Sequence, residues 1–159
     1  MEDLLIVIIR WLHVLSGVMW IGLLWYFNFV QIPSMPKIPD DQKPAIGKVI
    51  APEALFWFRW SALSTVLFGL ILAMMNGYLV DALVLNNALI GFGMWLGLIM
   101  AFNVWFVIWP NQQKALGMVE VEADAKAKAA RTAMLFSRTN TMLSVPMLFA
   151  MVAAQDMTL

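Results

Sequence analysis

Four apolar stretches, each long enough to cross a bilayer, fill most of a 159-residue chain and restrict its fold more than any other feature. A soluble domain needs a charged surface. Here 62% of residues are hydrophobic, only 13% are charged, and the mean hydropathy is +0.80, so lipid is the solvent the composition calls for. The sequence predicts an all-α integral membrane protein, a single domain over residues 1–159, folded as one four-transmembrane-helix bundle. The acidic start Met1-Glu2-Asp3 lacks the basic region of a signal peptide, and no small-residue cleavage site follows. The first stretch is therefore expected to be retained as a span.

The spans are expected at about 4–30, 55–80, 86–109 and 132–154. Prolines 33, 36, 39, 44 and 52 lack amide donors and are expected to break the chain between the first two spans. Asn76-Gly77 and Asp81 mark a turn, and Pro110-Asn111 should stop the third span. Residues 112–131 read as a charged helical extension in the cytoplasm, where Glu122/Lys126 and Asp124/Lys128 stand at i,i+4 with the acid first. Basic residues gather in the first connection (Lys37, Lys43, Lys48) and the third (Lys114, Lys126, Lys128, Arg131). The second connection and both tails have none, which predicts both termini outside, in the periplasm of a bacterial inner membrane.

The chain repeats itself. Met19-Trp20-Ile21-Gly22-Leu23 and Phe27-Asn28 of the first span return as Met94-Trp95-Leu96-Gly97-Leu98 and Phe102-Asn103 in the third, at a constant offset of 75. Each copy is followed by a proline, Pro33 or Pro110, and by a span with an arginine near its cytoplasmic start, Arg59 or Arg138. The spans carrying the copies run in the same direction, so the fold is expected to be two parallel-repeat helical hairpins about a pseudo-two-fold axis along the membrane normal. Gly17, Gly22, Gly93 and Gly97 are expected to let helix backbones approach closely.

Chemistry is narrowly restricted. Zero net charge and the lack of a basic tail leave no case for a nucleic-acid partner. The absence of cysteine excludes disulfides, thiolate metal sites and covalent haem attachment. No nucleophile elbow, phosphate loop or paired-histidine helix is present, and the acids stay in tails and loops. Ionisable groups inside a span are costly and mark candidate sites. Arg10 and His13 share one face of the first span with Gly17 and Trp20, and a buried imidazole in such a bundle suits haem b, with His13 on the iron and Arg10 at a propionate. At the offset of 75 their counterparts are Leu85 and Ala88, so paired ligation by two histidines of one chain is impossible. A methionine, an open position or a second subunit would complete the iron. The alternative is a histidine that only bonds across helices, in a bundle with no cofactor. Arg59, Arg138, Asn28 and Asn103, with Thr139 and Asn140, could form an inner polar cluster. Arginines at such depth also simply anchor helix ends at the interface.

The segments Arg10-Trp11-Leu12-His13-Val14, Gly17, Trp20-Ile21-Gly22, Phe27, Phe58-Arg59-Trp60 and Trp109-Pro110-Asn111-Gln112 resemble the membrane domain of bacterial membrane-bound urate oxidases, the urate oxidase N-terminal family. The Trp-Leu-His of the first span is more distantly similar to four-helix membrane haem proteins of the protoporphyrinogen-oxidase-like family. The resemblance implies a short stand-alone form without the family's periplasmic cytochrome c domain, a membrane location and a haem or redox association. A redox-associated inner-membrane protein with an electron-transfer partner is the leading expectation; the alternatives are a non-catalytic accessory subunit or homo-oligomer of a larger membrane complex, and a small transporter or channel.

Overall fold

Helices in this protein run through their prolines. The computed structural model describes residues 2–156, and among them every long element is helical. Helix α1 (Glu2–Trp25) passes into a π-helical turn at Tyr26–Gln31, then α2 (Ile32–Ser34) and a 3₁₀ turn at Met35–Lys37. Helix α3 (Lys43–Ala45) leads through a second π turn, Ile46–Ile50, into α4 (Ala51–Met75). After the short α5 (Leu79–Leu83), α6 (Ala88–Phe102) continues through a third π turn, Asn103–Ile108, into α7 (Trp109–Ala115). The last element is α8 (Ala123–Asp156).

Each π turn ends two residues before a proline: Pro33, Pro52 and Pro110. A proline in an α-helix removes one donor and drives its ring into the carbonyl four residues earlier, whereas a widened turn just ahead of it moves that carbonyl away. Pro33 and Pro110 thus do not end their helices, contrary to the sequence expectation. The first rod continues to Lys37 and the third to Ala115.

Three of these rods, Asp3–Lys37, Lys43–Met75 and Ala88–Ala115, are long and apolar enough to cross a membrane. Helix α8 is longer than α4 but carries Ser137, Asn140 and Ser144, and all three are buried, while Met142, Val145, Phe149 and Val152 on its other side are 62–75% exposed. The extension at 112–131 is not one helix, since α7 ends at Ala115 and α8 starts at Ala123. Nor do Glu122/Lys126 and Asp124/Lys128 close into ion pairs; among the described residues the only one is Lys43–Asp40.

Helix α1 packs along α4, and α6 along α8; α4 also meets α6, and α1 meets α8. This ring of neighbours sets α1 diagonally across from α6. For orientation, the end holding the connections 33–50 and 110–122 is called the loop end, and the other the terminal end. The hydrophobic core occupies the half towards the loop end, where Trp20, Leu24, Phe27, Leu55, Phe58, Met100, Val104 and Ile108 are all buried. Phe27 and Phe58 meet edge to face, with centroids 5.7 Å apart.

At the terminal end the second hairpin departs from the first. The chain turns at Gly77, whose φ of +75° suits a residue without Cβ, forms α5, and turns again at Leu85 with φ 62°. Helix α6 starts only at Ala88, the counterpart of His13. The stretch matching the first turns of α1 is thus spent on the link between hairpins. Gly91 seats that link: a Cβ there would lie 2.2 Å from the Ala82 carbonyl oxygen.

Candidate functional site

His13 reaches from α1 to α4. Its Nδ1 lies 2.8 Å from the carbonyl oxygen of Thr65; a carbonyl can only accept, so Nδ1 carries the proton and Nε2 is left with its lone pair. Among the described residues no side chain or backbone group bonds Nε2. The contact depends on Gly69, one turn after Thr65. A Cβ on Gly69 would lie 2.8 Å from His13 Cε1 and 3.0 Å from Nδ1, so glycine alone leaves room for the imidazole against the helix. Thr65 keeps its own hydroxyl on the Ser61 carbonyl, 2.7 Å away, leaving the Thr65 carbonyl open to the ring.

His13 lines a cavity of about 830 Å³ between the four long helices, in the half towards the terminal end. That volume falls within the range of pockets that bury a small-molecule ligand. The mouth is polar, with Arg10, Asn76, Tyr78, Asn87 and Gln155. Burial pushes the Tyr78 phenol above its ordinary pKa and the charge of Arg10 pulls it partway back, so the two groups feel each other. Deeper in, the walls are apolar, and three methionines, Met94, Met147 and Met151, face the space from α6 and α8. Trp20 belongs to the wall as well; it is 1% exposed and its indole N–H has no acceptor among the described residues.

The glycines divide by role. Gly93 serves packing, since an added Cβ would sit 3.2 Å from the Ala150 Cβ, and Gly17 is in ordinary contact with Thr65. Gly22 and Gly97 do not serve packing, contrary to expectation: an added Cβ would meet nothing within 4 Å at either, and both line the cavity. They are repeat counterparts, on helices diagonally opposed.

The polar residues towards the loop end do not form one cluster. Asn103 donates to the Asn140 side chain and Asn140 to the Met100 carbonyl, both at 2.9 Å and both residues buried, tying α6 to α8. Asn28 donates to Ser137 at 2.8 Å, tying α1 to α8. Arg59 lies apart, its guanidinium 3.8 Å from the centre of the Trp109 ring, while Trp105 donates to its carbonyl oxygen at 3.1 Å. Arg138 and Thr139 lie on the exposed side of α8. Sequence reasoning missed Thr65, Gly69 and Tyr78. Only Tyr78 carried a signal, as the one tyrosine beside the 76–81 turn.

These features define an all-helical protein with membrane-length helices around a cavity that presents one free imidazole nitrogen. Residues 82–156 match the sequence model of the urate oxidase N-terminal family, the family the chain resembles. The matched segment is the second hairpin with α5, as long as the repeat offset, while His13 and Arg10 lie in the first. No curated protein and no solved structure matches the chain.

Proposed function

We propose that this is a redox-associated haem b protein of the bacterial inner membrane, related to the membrane domain of urate oxidase. The observation that carries this reading is the tautomer of His13. Metal-bound histidines characteristically donate their other ring nitrogen to a carbonyl or carboxylate, which fixes the ring and raises the basicity of the ligating nitrogen. His13 has that arrangement, with Nε2 free at a cavity of suitable size.

The residues present fit the group. His13 would hold the iron through Nε2, Arg10 at the mouth would neutralise a propionate, and the apolar walls would take the macrocycle. Bound there, haem supplies one-electron redox chemistry. The chain's own part is to fix the imidazole through Thr65, to leave it space through Gly69, and to surround the ring with apolar side chains that keep water out. Met151, from α8, would offer a thioether beside the group.

A fourth span and both termini outside belong to the same proposal. Helix α8 turns Ser137, Asn140 and Ser144 inwards and Met142, Val145, Phe149 and Val152 outwards, as a helix solvated by lipid does. Lys37, Lys43, Lys48, Lys114 and Lys126 all lie at the loop end, which the positive-inside rule assigns to the cytoplasm.

The test is the absorption spectrum of protein purified after expression with haem supply. The expected result is a Soret band lost in His13→Ala and retained in Arg59→Leu. A colourless protein that co-purifies with a larger membrane complex would instead support the accessory-subunit reading, and a band indifferent to His13→Ala would refute the ligand assignment.

A further inference from the structure

The cavity is longer than the imidazole site needs. It follows α1 from Arg10 to Trp25, and Gly22 lies nine residues beyond His13, about 14 Å at the rise of an α-helix. We propose that this deeper part is a separate binding site for a neutral, planar, lipid-soluble ring bearing carbonyl oxygens, the chemistry of a membrane quinone. The assignment is independent of haem at His13.

Four observations support it. First, Gly97, buried on α6, faces open space inside the cavity, so a bare helix surface borders a slot that a flat ring fills better than a branched group, while Gly22 on α1 stands at its exposed rim. A void lined by apolar groups costs dispersion contacts, and the missing side chain at Gly97 keeps this one open. Second, Trp20 in the same wall holds a buried N–H without an acceptor, the kind of donor a ring carbonyl would satisfy. Third, the deep walls contain Ile21, Met94, Leu98 and Met147 and no ionisable group, which selects a neutral ligand over an anionic lipid head. Fourth, the slot opens sideways. Val18 on α1 and Val152 on α8 line the cavity and are also 67% and 65% exposed, so the cavity offers a ligand dissolved in the bilayer a path in between these two helices. Towards the loop end the path closes where Trp25 donates to Ser144 at 2.9 Å.

The experiment uses the full chain, haem-free, in lipid nanodiscs, with decylubiquinone as probe and quenching of tryptophan fluorescence as the readout. Saturable quenching is expected for the native chain. Gly97→Leu fills the slot without a backbone clash and should weaken binding about tenfold or more. Trp20→Phe, which keeps the ring but removes the donor, should weaken it about fivefold. Gly47→Leu adds the same side chain into open space away from the cavity and should leave binding unchanged. Quenching that does not saturate, or that is the same in the native chain, Gly97→Leu and Trp20→Phe, would overturn the proposal. If a glycine variant failed to fold, as judged by helicity and elution volume, Trp20→Phe alone would decide.

Discussion

The same four helices are packed tight in one half of the molecule and hollow in the other. Towards the loop end, Leu24, Phe58, Met100 and Ile108 interlock at 0–1% exposure. Towards the terminal end, the helices stand around about 830 Å³ of space. The difference does not come from poorer apolar content, since the hollow half is lined by leucine, isoleucine and methionine. It comes from a small residue placed where a large one would fit, Gly97, and from a helix, α6, that begins late because its first turns became the link between hairpins. A bundle that spends its packing energy at one end can keep a site open at the other.

The largest effect should come from taking a side chain out of the packed half. Phe58→Ala removes a ring that is 1% exposed and stacked edge-on against Phe27, and should cost about 3–5 kcal/mol in reversible unfolding from detergent micelles. Leu98→Ala, in the cavity wall, removes a side chain that already borders empty space and should cost well under half as much. Equal costs would mean that the hollow half is not hollow in solution.

Next in size is the effect of a single methyl group at the hollow end. Gly69→Ala puts a Cβ 2.8 Å from His13 Cε1, and the imidazole has to leave the Thr65 carbonyl. With haem held at His13 as proposed, loss of such a supporting bond should lower its affinity by about 10–100-fold, read by titration of the Soret band, with little change in helicity. Asn140→Leu at the packed end should be milder. It strips the partner from Asn103 and from the Met100 carbonyl, and hydrogen bonds between membrane helices are worth about 0.6 kcal/mol on average and about 1.7 at most.

The repeat, the helical class and the inward place of His13 were legible in the sequence for one reason: polar and small residues stand out in an apolar alphabet, and their spacing survives without coordinates. What the imidazole bonds to was not. Its partner is a backbone carbonyl, a group every residue carries, and Gly69 looks no different in sequence from Gly93, although one makes room for a ring and the other for a helix. The inner cluster was misgrouped by helix phase. Arg138 follows Ser137 by one position, which turns it about 100° away from the buried stripe of α8, and the repeat says nothing of that rotation. Prolines misled in the same way, because whether Pro33 ends a helix depends on the turn before it, and a π turn has no clear signature in residue types.

The smallest effect contrasts charge at the two ends. At the mouth of the cavity Arg10 acts on a half-buried phenol, so Arg10→Leu should move the titration of Tyr78 further upward, as followed by tyrosinate absorbance. At the loop end Lys43 holds the Asp40 carboxyl below its ordinary pKa by a hydrogen bond and by its charge. A carboxylate whose folded pKa is depressed adds stability above its ordinary pKa and loses it as the pH falls through the lowered value. Asp40 is fully exposed, and water and salt screen such a pair. Lys43→Ala should therefore raise the Asp40 pKa, visible by carboxyl-detected NMR, and leave the unfolding midpoint unchanged between pH 3 and 7. A shifted midpoint would mean that the loop end, like the mouth of the cavity, senses charge through buried groups.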